Sequence, residues 1–357
     1  MSTVAEQPRA EAPAPAVGAG QQKWLVSPLF DLLFLANIGW VLAWLVSLGA
    51  TTTERPHVEF WQVYFITTPH RWLTLVLVAT DPDRRAGRTS LFLWMAVAAA
   101  LIVLGTHQFT GAFTCLAVAD SLWNAWHFAA QHGGILRMYA RLGGGGRRRL
   151  ENTAIRLLVL YTLLRLVGWA TGWTESYPAA QAALHTVDLL VLVPAIVLLV
   201  LELSRSPTQR AGKVAYLASV CTLYGALLLS VRNGYHGMVI PLAVAAAIFH
   251  AVEYLAVVTY YAWRRQEQGS AAPFQTMARH WLRVLGFFVV ILGMLAVFMD
   301  GDSQRTWLGL NLKETWLGLN LWAAFLHYAY DGMIWKLRRP ATAKVLGVEV
   351  AGNCGKV

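Results

Sequence analysis

Charged residues are scarce in this sequence of 357 residues: Asp, Glu, Lys and Arg make up 13% of it, against about 25% in soluble domains. This scarcity argues against an ordinary soluble protein. Cysteine is also scarce, since Cys115, Cys221 and Cys354 lie far apart and form no CxxC pair. The sequence therefore indicates neither a disulfide framework nor a thiolate zinc site. We see no cleavable signal peptide, and we expect the Ala- and Pro-rich residues 1–22 to form a disordered tail.

Hydrophobic residues, by contrast, make up 57% of the sequence, and the mean hydropathy is +0.47. Apolar runs of about 20 residues recur along the chain, which is the length of α-helix needed to cross ~30 Å of hydrocarbon. We therefore predict an all-α fold, a polytopic transmembrane bundle of about ten spanning helices in a single domain, residues 23–340. The spans are predicted near residues 28–49, 58–80, 89–106, 112–137, 153–171, 183–203, 214–231, 236–262, 284–300 and 315–336.

The loops between the predicted spans differ in basic content, which sets the expected orientation. With a cytoplasmic N-terminus, the cytoplasmic segments carry 23 Lys and Arg residues and the outer loops carry 4. Because basic loops stay on the cytoplasmic side, we predict that both termini are cytoplasmic and that residues 341–357 form a C-terminal tail. We expect the chain to reside in a bacterial inner membrane. The net charge of +10 then reflects topology, and we predict no nucleic-acid partner.

Four predicted spans that run from outside to inside each carry a histidine at a similar depth. His70 and His127 lie ten residues before the cytoplasmic ends of their spans. His250 lies about twelve residues before such an end, and His327 lies nine. At 1.5 Å per residue, these side chains fall within about one to two helical turns of one plane. A single intramembrane histidine usually serves helix packing, but four at one depth predict a shared site.

Two of these histidines are followed by a carboxylate on the same helix face. Glu253 follows His250 at i+3, and Asp331 follows His327 at i+4. Ionisable groups inside a bilayer are costly, so these carboxylates need a partner. A metal ion bound by imidazoles and carboxylates would supply one.

The predicted span 112–137 carries a polar stripe in an otherwise apolar segment. Its members are spaced at i, i+4, i+7 and i+11: Asp120, Asn124, His127 and Gln131. His132 is rotated by roughly 140° from His127, so the two do not easily serve one centre. We prefer His127 as the ligand and keep His132 as a candidate.

The candidate site divides into metal ligands and catalytic residues. The candidate ligands are His70, His127, His132, His250, Glu253, His327 and Asp331. The candidate catalytic residues are Arg71 and Gln131; for Arg71, snorkelling, pairing with a site carboxylate and holding an acidic headgroup all remain open. Imidazole and carboxylate ligation without thiolate favours iron, with manganese or zinc as alternatives. Six ligands exceed the need of one open catalytic ion, so we predict a dinuclear iron centre.

This set of buried histidines and carboxylates on transmembrane helices resembles the integral-membrane non-haem di-iron desaturases and hydroxylases. It also resembles the bacterial membrane dioxygenases that cleave β-carotene. The resemblance is one of chemical class, because the HxxxH and HxxHH boxes of the desaturases are absent and the nearest runs are His127–His132 and His250–Glu253. It implies iron-dependent oxidation of a hydrophobic substrate.

We therefore predict a membrane oxidoreductase that hydroxylates, desaturates or cleaves a lipid-like substrate, which enters from the membrane lipids. A cytoplasmic donor would supply the electrons. One alternative is a transporter in which Asp120, His127, Glu253 and Asp331 relay protons or cations. A second is a haem b protein with histidines as axial ligands.

Two further features carry expectations about local structure. The stretch Thr306–Leu312 (TWLGLNL) recurs as Thr315–Leu321, and nine residues rotate a helix by about half a turn. We expect the first copy at the outer interface and the second at the start of the last span. Tyr254, Tyr328 and Tyr330 are expected to be packing aromatics.

Overall fold

The computed structural model of this protein describes residues 24–50, 67–143, 146–173, 177–205, 210–270, 272–278, 280–299, 306–307 and 310–348. The tail predicted at 1–22 lies outside the described residues, as do residues 349–357. The described part is all-α apart from one short strand pair, which confirms the all-α part of the prediction. The helices are α1 (Pro28–Phe30), α2 (Trp40–Ala50), α3 (Thr67–Thr80), α4 (Pro82–Arg85), α5 (Thr89–Thr110), α6 (Thr114–Leu142), α7 (Arg148–Ala170), α8 (Pro178–Leu203), α9 (Ala211–Arg232), α10 (His236–Glu267), α11 (Pro273–Ala278), α12 (Trp281–Met299), α13 (Leu312–Ile334) and α14 (Pro340–Val345).

The strand pair contains part of the repeated sequence. Strands β1 (Thr306–Trp307) and β2 (Leu310–Asn311) are antiparallel, with Thr306 opposite Asn311. Asn311 then caps α13, since its side chain accepts from Glu314 N and the Glu314 carboxylate accepts from Asn311 N. The second copy, Thr315–Leu321, lies inside α13, as predicted for the last span.

Six segments of the described chain are long and apolar enough to cross a membrane, and they identify an integral membrane protein. They are Pro28–Val46, Thr89–Thr110, Arg148–Ala170, Ala179–Leu203, Ala211–Arg232 and His236–Glu267. The other four predicted spans coincide with α3, α6, α12 and α13, which do not meet this test within the described residues. The described part of α3 has only 14 residues, and α6 and α13 carry polar site residues.

The six segments differ in how much of their surface other helices cover. In α9 and α10, 61% of the most apolar window is buried, whereas only 11% is buried in α5. Side chains of α5 such as Leu93, Trp94 and Leu101 are more than half exposed, as expected for a surface that faces lipid. Helices α9 and α10 therefore form the interior of the bundle.

The first span begins with an irregular turn. Residues Asp31–Leu35 follow α1 as a π-helical turn. The buried Asp31 carboxylate accepts from the backbone N–H groups of Leu25 and Val26 and from the hydroxyl of Tyr139 in α6. This carboxylate therefore fixes the start of the first span against α6.

A buried charge cluster joins four helices near the α6–α7 connection. Lys213 Nζ lies 2.6 Å from Glu151 Oε1 and 2.9 Å from Glu202 Oε1. Arg137 pairs with Glu151 at 2.6 Å, and Arg210 pairs with Glu202 at 3.2 Å. Each carboxylate thus contacts two cations, the arrangement that makes a buried charge tolerable.

The chain after α13 packs back onto the bundle. Leu346 and Val348 are buried in the main hydrophobic core. Arg141 at the end of α6 donates to the backbone oxygens of Leu337 and Val348. The predicted C-terminal tail, residues 341–357, thus begins with residues that are held against α6.

Candidate metal centre

Four histidines from four helices meet inside the bundle. Helix α13 packs against α3 and α6, and α10 also contacts both, so one side of each of these helices faces a common space. His70 of α3 and His127 of α6 are 3% and 7% exposed. His250 of α10 and His327 of α13 are completely buried. The structure therefore brings together the four histidines that were predicted from their depth.

The four imidazoles form a closed ring of edge-to-face contacts. The ring centroids of His127 and His327 are 4.6 Å apart, and those of His327 and His70 are 4.8 Å apart. The His70–His250 and His250–His127 centroid distances are 5.2 Å and 5.0 Å. Each imidazole thus contacts two others, although the four residues are spread over more than 250 positions of the sequence.

The ring nitrogens form two overlapping groups of possible metal ligands. Ligand atoms of His70, His250 and His327 lie within 4.8 Å of one another, and the same holds for His127, His327 and Asp331. His327 belongs to both groups, so the two groups are neighbours that share one side chain.

Asp331 is the carboxylate of this cluster. Its Oδ2 lies 3.7 Å from His327 Nε2 and 3.8 Å from His127 Nε2. Its Oδ1 accepts from the hydroxyl of Tyr254 at 3.0 Å and from Thr74 Oγ1 at 3.2 Å. One oxygen is therefore held by hydroxyl groups, and the other faces the imidazoles.

Thr74 holds His327 in place. Its Oγ1 lies 2.6 Å from His327 Nδ1 and also contacts the Tyr254 hydroxyl and Asp331 Oδ1. If Asp331 is ionised and receives the Thr74 proton, Thr74 accepts from His327 Nδ1–H, and the lone pair of His327 is then on Nε2, the atom that faces His127. Ligating histidines are typically oriented by such a contact at the other ring nitrogen.

His250 provides the test of whether these residues fit a metal ion. It is completely buried and stacks on Phe128 with the ring centroids 3.7 Å apart. Neither its Nδ1 nor its Nε2 has a hydrogen-bond partner among the described residues. A buried polar group without a partner costs about 1–3 kcal/mol, which coordination of one nitrogen would offset. Neutral imidazoles with one carboxylate suit iron, manganese or zinc.

The remaining two candidate ligands form a second cluster beside the first. His132 Nδ1 lies 3.2 Å from Glu253 Oε2, and both side chains are completely buried. The hydroxyls of Tyr216 and Tyr224, both in α9, lie 2.8 Å and 2.9 Å from the two ring nitrogens of His132. Both nitrogens of His132 thus have protein partners. The geometry accordingly groups His127 with the other three histidines, and His132 with Glu253.

The two candidate catalytic residues lie next to these clusters. Gln131 Nε2 donates to the backbone oxygen of His250 at 2.9 Å and to Glu253 Oε2 at 3.1 Å, so it bridges them. The guanidinium carbon of Arg71 lies 5.8 Å from the ring centroid of Tyr328. The Tyr328 hydroxyl donates to Asp120 and Asn124, which also belong to the predicted polar stripe.

Sequence reasoning missed four polar side chains of the two clusters. Tyr254 was expected to be a packing aromatic, but its hydroxyl holds Asp331. Thr74, Tyr216 and Tyr224 were not singled out. Spacing offered a signal for two of them, because Thr74 is at i+4 from His70 and Tyr254 is at i+4 from His250. Nothing in the sequence marks the two tyrosines of α9.

A cavity of about 530 Å³ lies beside the histidine cluster. His127, Asp331 and Tyr254 line one part of it, so the candidate metal centre is reachable from this space. Its walls come mainly from α6, α7 and α13 and from the segment that follows α13. The arrangement combines a buried donor set with room for a small molecule.

All the residues that form the two clusters and the cavity belong to this chain. Neither a protein-family model, nor a curated protein, nor a solved structure matches this chain.

Proposed function

We propose that this protein is an integral-membrane oxidoreductase that binds non-haem iron at His70, His127, His250 and His327. Its substrate is hydrophobic and lipid-like. The observation that carries the proposal is the closed ring of four buried imidazoles, in which His250 has no hydrogen-bond partner for either nitrogen. A ring of neutral donors around a common centre, with one carboxylate at its edge, is a ligand set for a cation.

We propose one iron ion in place of the two expected from the count of ligands, because Glu253, the second carboxylate of the dinuclear hypothesis, lies in the other cluster and contacts His132 and Gln131 through its Oε2. The Oε1 atom of Glu253 has no hydrogen-bond partner among the described residues, and the ligand atoms fall into two groups that share His327. The number of iron ions per chain therefore decides between one ion and two. Iron is the first choice, and manganese and zinc remain candidates on the same donor chemistry.

Bound iron would supply one-electron redox chemistry and a place for dioxygen to react. The protein's own residues do the rest. Asp331, held by Thr74 and Tyr254, places a carboxylate beside two imidazoles, where it would stabilise a bound cation. Gln131 fixes the His250 backbone and the Glu253 carboxylate in one arrangement.

The electron balance requires a donor for hydroxylation or desaturation. In hydroxylation, one oxygen atom of dioxygen enters a C–H bond and the other leaves as water, with two electrons and two protons from the donor. In desaturation, the substrate loses two hydrogens, the donor supplies two electrons and two protons, and both oxygen atoms leave as water. Oxidative cleavage of a double bond needs no donor, because both oxygen atoms enter the products. We place the donor on the cytoplasmic side.

The same proposal includes the topology. Helices occur in the described residues at all ten positions where spans were predicted, and the basic loops favour cytoplasmic termini. The cavity beside the cluster is lined by basic residues at the end that this topology makes cytoplasmic. A bacterial inner membrane is the location we propose.

A proton- or cation-coupled transporter is the second candidate, and a series of neighbouring polar side chains favours it. Asp120 accepts from Tyr328 at 2.9 Å, the Tyr328 ring lies 5.0 Å from that of His127, and Asp331 follows. Proton-coupled uptake in proteoliposomes that is lost in Glu253→Gln, with unchanged metal content, would select the transporter. A haem is disfavoured because the Nε2 atoms of His127 and His327 are only 3.0 Å apart, too close for a macrocycle between them.

The deciding experiment is metal analysis of the protein purified in detergent, together with its absorption spectrum. We expect close to one iron per chain and no intense Soret band. Two irons per chain would support the dinuclear centre, and a Soret band would select haem. Substoichiometric iron, manganese and zinc after reconstitution under anaerobic conditions would overturn the proposal.

A further inference from the structure

The cavity beside the histidine cluster has a strongly basic end. Six of its lining residues are cationic, and among its described lining residues the one carboxylate is Asp331, at the opposite end. The six are Arg137, Arg141, Arg148, Arg156, Lys336 and Arg338. Only Arg137 of these forms an ion pair with a carboxylate of the described chain, namely Glu151. Much of this positive charge is therefore available to an anion.

Arg156 is a cavity cation that contacts α6 at Trp126 and Gly133, close to His127. Its guanidinium carbon lies 5.7 Å from the ring centroid of Trp126, and its Nε is buried without a hydrogen-bond partner among the described residues. The backbone of α6 approaches it closely, because a Cβ built on Gly133 would lie 3.0 Å from that Nε. Gly133 comes six residues after His127, which corresponds to about 9 Å along the helix axis.

The part of the cavity nearest the cluster is aromatic. Trp123, Trp126 and Tyr328 line it together with His127. Trp123 and Trp126 are also 39% and 49% exposed on the outside of the bundle, so this wall reaches the surface that faces lipid. A hydrocarbon chain can therefore lie against apolar rings at one end while a charged group occupies the basic end.

We propose that the substrate is an amphipathic anion, a hydrocarbon chain with one carboxylate or phosphate headgroup bound by Arg156. This inference rests on the proposed function, because the cluster supplies the reaction. The other cations of the cavity attract the anion to it. Arg156 carries two kinds of interaction here, since its planar guanidinium stacks on Trp126 and can donate to two oxygens of one headgroup.

Binding to the purified iron-loaded protein tests this. A fluorescent fatty acid is displaced by chains of equal length that end in a carboxylate, a phosphate, a neutral alcohol or a zwitterionic phosphocholine. We expect at least one of the two anions to bind about tenfold or more tightly than the alcohol, and this anion identifies the headgroup. Equal affinities for all four would overturn the proposal. Displacement by inorganic phosphate as strong as by the alkyl phosphate would also overturn it, since the chain would then contribute nothing.

Arginine variants locate the headgroup. Arg156→Gln should remove the preference for the anion, and Arg156→Lys should restore part of it. Arg149→Gln is the matched control, because Arg149 is a neighbouring arginine of α7 that does not line the cavity. If Arg156→Gln and Arg149→Gln bind the anion equally well, the assignment is wrong. Thermal unfolding of each variant separates loss of binding from loss of folding.

A glycine variant narrows the cavity while leaving all of its cations in place. A Cβ at Gly134, which lines the cavity, meets nothing within 4 Å, so Gly134→Leu adds a side chain to open space. It should weaken binding of the anion and leave the iron content unchanged. Gly105→Leu in α5 is the control, because its Cβ also meets nothing within 4 Å. If the protein binds iron but shows no preference for an anion, only the proposed substrate class is wrong. If it prefers an anion but binds no metal, only the proposed function is wrong.

Discussion

The Nε2 atoms of His127 and His327 lie 3.0 Å apart, although 200 residues separate the two in the sequence. Two nitrogens at this distance either share a proton or occupy neighbouring positions around one ion, where ligands about 2.1 Å from the metal are about 3 Å apart. When Thr74 accepts from His327 Nδ1–H, the Nε2 lone pair of His327 faces His127. In this tautomer the pair is oriented to ligate a metal ion.

Alanine at any of the four clustered histidines should lower the iron content. His70→Ala, His127→Ala, His250→Ala and His327→Ala each remove one donor from a buried ring, and the remaining donors hold the ion less tightly. The measurement is iron per chain after purification and after a wash with a chelator.

His185→Ala is the control for these four variants. His185 lies in α8, far from the cluster in the bundle, and lines a separate small pocket near Arg165 and Arg232. Its replacement should leave the iron content unchanged. If all five variants behave alike, the four histidines do not form a common centre.

Thr74→Val should weaken metal binding without removing a ligand. The substitution keeps the shape of the side chain but loses the contacts to His327 and Asp331, and loss of such supporting contacts typically costs 10–100-fold in affinity. Competition with a chelator of known affinity measures the change. Thr162→Val is the matched control: Thr162 is equally buried, and its hydroxyl has no partner among the described residues. An equal effect of both valines would argue against the orienting role.

His132→Ala should reduce stability and leave the iron in place. It deletes a completely buried ring and leaves the hydroxyls of Tyr216 and Tyr224 without their partner, which together costs about 3 kcal/mol. Thermal unfolding in detergent and metal analysis on the same sample give both quantities. Loss of iron from His132→Ala but not from His127→Ala would reverse the assignment of the ligand in α6.

Lys213→Met should destabilise the protein by about 3–5 kcal/mol, because it leaves Glu151 and Glu202 buried with one cation each. Glu267→Gln serves for comparison. It breaks the ion pair with Arg264, in which both side chains are about one third to one half exposed, and should cost at most about 1 kcal/mol. Chemical unfolding measures both, and similar losses would show that the buried cluster adds little.

The position of each histidine along its helix was predictable from the sequence. The direction that each side chain faces around the helix axis was less predictable. The position of His70, His127, His250 and His327 relative to the ends of their spans fixed a common plane, and the structure brings the four together. Which face of α10 meets which neighbour depends on side-chain packing across the whole bundle. Glu253 therefore faces His132 and the tyrosines of α9, a pairing that i+3 spacing alone does not determine.

Local irregularities also escaped the sequence patterns. The π-helical turn Asp31–Leu35 lies within an apolar run that hydropathy treats as a regular helix. Lys213 was counted as a loop cation, yet it is buried between two carboxylates. The two copies of TWLGLNL adopt different structures, one in a strand pair and the other in a helix. In each case contacts distant in sequence decide the outcome.

Helix α6 contributes to both polar clusters from opposite sides. His127 faces the other three histidines, and His132, rotated by roughly 140°, is held by two tyrosines of α9. Rotation of α6 about its own axis would break contacts on both sides at once, so these contacts fix the orientation of α6 in the bundle. The cavity therefore has one wall of fixed orientation, the side of α6 that runs from Trp123 to Arg141.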